Sequence, residues 1–142
     1  MIFLVSDHAG YVAKLKIIKL LEKHKIEFKD LGTNTTDSVD YPDYAKILAS
    51  EMEKNKNAVG ISICRTGMGM SIAVNRFKFI RGALCKSAKD AYFSRRHNNA
   101  NVLVLSALTK NHTRNKIIKT FLNTEFEGGR HERRVKKLSE LG

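Results

Sequence analysis

The chain has no tryptophan, one proline and two cysteines among its 142 residues, and aromatic side chains make up only 8% of it. So little cysteine excludes a disulfide-stapled scaffold. Cys64 and Cys85 each lie in a strand-like run and are expected to stay reduced. No apolar run is long enough for a membrane span. Met1 to Val5 is apolar, but Asp7 and His8 end it too soon for a span or a secretory signal, so a cytoplasmic location is expected. Zinc-finger spacing, RNP motifs and basic amphipathic stripes with interleaved aromatics are also missing, which leaves nothing specific to nucleic acid. There is no repeat, no low-complexity tract and no linker.

Acidic residues are scarce too: 14 Asp and Glu face 26 Lys and Arg, a formal net charge of +12. The imbalance is uneven. Residues 1–53 carry a net of −2, residues 54–109 a net of +9 with Asp90 as their only acid, and residues 110–142 a net of +5. Such a balance suits a nucleic acid, a membrane surface or an anionic small molecule, although a solvated lysine-rich surface accounts for most of it.

What is present is a chain with 42% hydrophobic residues, enough for one domain over residues 1–142 with a full core. Apolar runs alternate with helical periodicity. Strands are expected at Ile2–Ser6, Ile26–Leu31, Ala58–Cys64, Phe79–Cys85 and Val102–Ser106. Helices are expected at Tyr11–His24, from Pro42 to about Lys54, Met70–Phe77, Ala88–His97, Asn111–Leu122 and His131–Leu141. In the first helix Val12, Leu15, Ile18 and Leu20 or Leu21 are expected inward; in the second, Tyr44, Ile47, Leu48 and Met52. The alternation predicts an α/β fold: a three-layer α/β/α sandwich, Rossmann-like, around a five-stranded parallel sheet.

In such folds ligands collect at the carboxyl ends of the strands. That rule selects Asp7 and His8 after the first strand, Cys64 to Gly69 after the third and Ser106 after the fifth, with Asp40 and Tyr41 from the loop after the second. The run Cys64-Arg65-Thr66-Gly67-Met68-Gly69 places a thiol where a buried strand enters a glycine-rich turn and a helix start. Free N–H groups there favour an anion or a thiolate. A base beside fixed donors is what proton abstraction next to a carbonyl requires.

Ser6-Asp7-His8-Ala9-Gly10, Asp40-Tyr41-Pro42, Cys64 to Gly69, Arg96-His97-Asn98 and Gly128-Gly129-Arg130-His131 occur in one order along the chain. In this the sequence resembles the type B ribose-5-phosphate isomerases and their galactose-6-phosphate isomerase relatives, over essentially its whole length. The resemblance implies interconversion of D-ribose 5-phosphate and D-ribulose 5-phosphate through a cis-enediolate, in the non-oxidative pentose phosphate pathway, with no metal or organic cofactor. It implies Cys64 as the base that moves the proton from C2 to C1. Thr66 and the backbone N–H groups of Gly67, Met68, Gly69 and on to Ser71 hold the enediolate oxygen. His97 opens the sugar ring, with His131 as the alternative, and Asp7 orients hydroxyls or a neighbouring side chain.

The phosphate falls to His8, Arg130 and Arg134, and weaker sugar contacts to Tyr41 and Asn98. Asn75 either binds or caps a helix, and Cys85 is expected to be inert. Arg65 stands where the family usually carries a small residue, and it either points to solvent or reaches the sugar phosphate or a second subunit. The resemblance also implies a site shared between two subunits, hence a homodimer or a dimer of dimers, with the C-terminal helix reaching the partner and neither nucleic acid nor membrane engaged. The competing readings are an isomerase of galactose 6-phosphate or allose 6-phosphate, a basic nucleic-acid module and a non-catalytic sugar-phosphate sensor.

Overall fold

Residues 1–142 are all described by the computed structural model. The order is β1 (Ile2–Ser6), a 3₁₀ turn (His8–Gly10), α1 (Tyr11–Lys23), β2 (Phe28–Asp30), α2 (Tyr41–Lys54), β3 (Val59–Cys64), α3 (Met68–Val74), β4 (Gly82–Leu84), α4 (Ala88–Arg96), β5 (Val102–Ser106), α5 (Asn111–Asn123) and α6 (Arg130–Ser139). All strand pairs are parallel, in the order β2-β1-β3-β5-β4. No helix is long and apolar enough to cross a membrane.

The strands are apolar on both sides because both faces of the sheet are covered. Leu4, Ile61, Ile63, Leu103 and Leu105 pack against Ile17 and Leu21 of α1 and Ile117 and Phe121 of α5. Phe3, Val5, Cys64, Val102 and Val104 pack against Leu48 and Met52 of α2 and Met70 and Val74 of α3. Along β3 the alternation turns Ile63 to the α1 face and Cys64 to the α2–α3 face. The sheet order reverses direction at β1, so the carboxyl ends of β1 and β3 flank the crevice where such folds bind ligands.

Four expectations need correction. β4 is shorter than the run Phe79–Cys85, because Asn101 takes over its first residues: its Nδ2 donates to Phe79 O at 2.9 Å and its Oδ1 accepts from Arg81 N at 2.7 Å. β2 covers only Phe28–Asp30 of the expected Ile26–Leu31. The inward stripe of α1 is rotated: Val12 is 54% and Leu15 39% exposed, whereas Ala13, Ile17, Leu20, Leu21 and the charged Lys14 are buried. Lys14 can be buried because its ammonium finds an ion pair with Asp30 and donates to Thr33 O at 2.8 Å. In α2, Leu48 and Met52 face inward as expected, and Ile47 is 40% exposed.

Candidate active site

At the carboxyl end of β3 the backbone is pinned on two sides. The Ala107 N–H donates to Cys64 O at 2.9 Å, and Ser106 Oγ donates to Arg65 O at 2.8 Å. Gly67 then turns the chain at φ 82°, a left-handed conformation, and a Cβ there would sit 2.5 Å from Leu84 Cδ1. Gly69 admits the Tyr41 ring: a Cβ on it would meet Tyr41 Cζ at 2.7 Å. Tyr41 itself is carried to that place at the start of α2, beside Pro42.

The turn presents Cys64, 5% exposed, at the foot of a set of N–H groups. Met68 N–H is taken by Thr66 Oγ1 at 3.3 Å and Ser71 N–H by Gly67 O at 2.9 Å, while those of Gly67, Gly69 and Met70 have no partner within the chain. Asp7 and His8 stand on the adjacent strand end. Asp7 N–H donates to Ile63 O at 3.2 Å, and Asp7 Oδ1 accepts from Gly10 N–H at 3.0 Å, which leaves its second carboxylate oxygen free. His8 Nδ1 lies 3.1 Å from Val39 N and 3.2 Å from Val39 O, so the ring is tied to that loop residue through Nδ1 and Nε2 has no partner within the chain. Cys64, Thr66, the glycine turn, Tyr41, Asp7 and His8 therefore share one rim.

His97, Asn98, Arg130, His131 and Arg134 form a second group at the opposite rim. α4 runs back toward the amino ends of the strands, and His97 caps it just before β5. Cys64 is level with Ser106, the last residue of β5, while Val102, its first, is four residues back. Four steps of about 3.3 Å separate the levels by about 13 Å, and His97 lies beyond. At this second rim the His97 and His131 rings stack with centroids 4.2 Å apart and planes at 13°. His131 is 6% exposed, and its Nε2 lies 3.0 Å from Glu127 Oε2 without hydrogen-bond alignment. Desolvation, then His97, and then Arg130 and Arg134 hold the His131 pKa below its ordinary value, with Glu127 opposing them. Arg130 and Arg134 are exposed and four apart on α6, hence on one face.

Arg95 shapes this rim without a place among the expected site residues. Its guanidinium donates to Thr124 O at 3.1 Å, Asn99 Oδ1 at 2.9 Å and Ala100 O at 2.6 Å, and so fixes the turn that carries His97 and Asn98. Glu127 is the other unanticipated residue; its signal was the four-residue spacing to His131. His97, Glu127 and His131 are also the one group whose ligand atoms come within 4.8 Å of each other. Two rings stacked nearly parallel do not aim their nitrogens at a common point, so the geometry fits ring-to-ring packing better than a metal.

Asn75 bridges α3 to β4, donating to Gly82 O at 3.0 Å and accepting from Gly82 N at 2.8 Å, which is a structural task. Cys85 is 1% exposed, and burial pushes its thiol up to about 11, as an inert residue requires. A groove of about 440 Å³ runs beside Tyr41, Gly69 and Ile72, and a cleft of about 410 Å³ lies by Asn75, Asn98 and Leu138. Neither is lined by Cys64, Thr66 or His97.

Comparison with known proteins agrees with this architecture. The sequence model of the Ribose/Galactose Isomerase family matches residues 2–138. A ribose 5-phosphate isomerase from Thermotoga maritima superposes with a TM-score of 0.95 at 47% identity, covering 99% of this chain and 97% of that one. Ribose-5-phosphate isomerase B from Mycoplasma genitalium, solved with bound ribulose-5-phosphate, gives a TM-score of 0.93 at 41% identity over 98% and 93%. Ribose-5-phosphate isomerase B of Escherichia coli is 36% identical over 95% of this chain and 91% of its own.

Proposed function

The chain belongs to the ribose/galactose isomerase family, and on that premise we infer that it interconverts D-ribose 5-phosphate and D-ribulose 5-phosphate, with residues 1–142 acting as one isomerase domain. The observation that carries this reading is a cysteine at the mouth of a glycine turn with three unpartnered N–H groups. Once the ring is open, the Cys64 thiolate takes the proton from C2. The electron pair of that bond forms the C1–C2 double bond of a cis-enediolate. The pair of the C1 carbonyl moves onto O1, the proton of the C2 hydroxyl passes to O1, and the proton on sulfur returns to C1, which leaves a hydroxyl on C1 and the ketone at C2. Thr66 and the N–H groups of Gly67, Gly69 and Met70 hold the charge on oxygen. Fixed donors of this kind contribute about 3–4 kcal/mol each.

Ring opening needs a group that gives a proton to the ring oxygen and takes the one on O1, and His97 suits both movements. Its separation from Cys64 in one chain is too great for a single pentose. The complete site therefore combines the Cys64 rim of one chain with the His97 rim of another, in a homodimer or a dimer of dimers. Arg130 and Arg134 then reach across on α6 to grip phosphate with His8, and Asn98 and Tyr41 contact the sugar. The exposed apolar side chains Val12, Met68 and Ile72, 54%, 55% and 68% accessible, support burial against a second copy. His131, stacked on His97, keeps that ring in place or shares its task.

Incubation of the purified protein with ribose 5-phosphate and, separately, with galactose 6-phosphate and allose 6-phosphate, following ketose formation, tests the assignment. Turnover of the pentose phosphate alone is expected. Turnover confined to a six-carbon substrate moves the specificity within the family, and absence of any turnover removes the catalytic reading.

A further inference from the structure

Arg65 separates Cys64 from Thr66 in sequence, yet nothing in the mechanism above uses it. Its main chain is among the most firmly held in the turn: Ser106 Oγ donates to its carbonyl at 2.8 Å, and the preceding carbonyl accepts Ala107 N–H at 2.9 Å. Its side chain is the opposite, exposed and without a hydrogen bond or ion pair inside the chain. Other arginines of the basic central stretch are committed. Arg81 donates to Asn99 O, Arg95 to the α4 turn, and Arg96 pairs with Glu127 at 3.2 Å. Arg76 is unpaired but lies beyond the far end of α3. Arg65 is thus the one free guanidinium that a chain supplies to its own Cys64 rim.

Its place follows from the sheet. Arg65 is the first residue after β3, which pairs in parallel with β1, Ser6 level with Ile63, so Arg65 leaves its strand beside the turn that follows β1. That turn contains His8 and is tied to the end of β3 through the Asp7 N–H to Ile63 O bond. A guanidinium and an imidazole are then carried to neighbouring strand ends at the mouth of the crevice. A phosphate monoester is the ligand class that such a pair recognises, since guanidinium binds phosphate oxygens through two parallel N–H bonds.

We propose that Arg65 is a substrate-binding residue that grips the sugar's phosphate from the chain that supplies Cys64, opposite the arginines of the second chain. This rests on the isomerase reading and adds to it. The phosphate is clamped from both subunits, and the distance from the base to the phosphate is set within one chain.

The test compares wild type, Arg65→Gly and Arg65→Lys in steady-state kinetics with ribose 5-phosphate, with thermal melting and size exclusion run in parallel. Because Arg65 is exposed and its side chain unpaired, all three proteins are expected to fold and assemble alike. The expected result is a KM raised about 10- to 100-fold in Arg65→Gly, the loss of a charge-assisted contact, with kcat within about threefold and Arg65→Lys in between. A KM within about threefold of wild type overturns the proposal. So does a fall in kcat at constant KM, which would make Arg65 a shaper of the turn. A shift to monomer, with KM restored at high protein concentration, overturns it as well by making Arg65 an interface residue. Each of these outcomes leaves wild-type turnover intact, whereas failure of the isomerase reading itself is seen as an inactive wild type.

Discussion

The two rims of the sheet are built on different principles. The Cys64 rim is mostly backbone. Strand ends, a left-handed glycine and pinned carbonyls hold a few N–H groups in fixed directions, and its cations are few. The His97 rim is mostly side chain: stacked imidazoles, arginines on an exposed helix, and a guanidinium tying a turn together. Backbone donors keep their orientation through a reaction, which suits stabilisation of an oxyanion. Long cationic side chains can fold over a bound phosphate. In the proposed dimer the oxyanion donors of one rim meet the imidazoles and arginines of the other across the subunit boundary.

The strongest way to break this contrast is Cys64→Ala. Turnover is expected to fall by about 100- to 10,000-fold, the range of a general base, while calorimetry still detects ribose 5-phosphate binding. Residual turnover within tenfold of wild type would take the sulfur out of the mechanism. His97→Asn is expected to cost about 100-fold in kcat. Mixing the two inactive variants after co-refolding sharpens the comparison further. If the rims come from different chains, half of the dimers are mixed and each contains one intact site, so activity returns to about a quarter of wild type. A site contained within one chain would recover nothing.

Replacing Arg130 and Arg134 with Ala leaves kcat nearly intact and raises KM, by about tenfold or more for each lost contact. A kcat loss without a KM change would give these two arginines a part in the chemistry rather than in holding the phosphate. On stability, Lys14→Met leaves Asp30 without its partner. Urea unfolding should show a loss of about 2–3 kcal/mol, less than the full cost of breaking a buried pair because Asp30 is 27% exposed. No change in the midpoint would mean that the buried ammonium holds nothing.

The smallest effect concerns pH. With its pKa held below 6.5, His131 stays neutral in the fold where an unfolded histidine is already charged. The unfolded chain then binds more protons, so stability falls as pH drops through 6.5 toward the lower folded value. His131→Gln should flatten that part of the melting-temperature profile, and parallel profiles for the two proteins would contradict it.

Much of the Cys64 rim was legible along the chain because its parts are local. β1 and β5 have the expected bounds, and one stretch of six residues contains thiol, hydroxyl and glycine turn. Lys14 was not legible. Its burial depends on Asp30 and on Thr33 O, which α1 meets only after β2 has paired with β1. The same holds for β4, cut short by Asn101 from more than twenty residues away, and for Glu127, which matters because α6 folds back onto α4.

Periodicity and composition alone determined the element order, the parallel sheet and the short motifs, since each depends on neighbours within one or two turns of chain. The separation of Cys64 from His97 was decided only in three dimensions. A crossover helix returns the chain to the opposite end of the sheet, and nothing in the spacing of the two residues says that a rigid five-residue strand will stand between their levels.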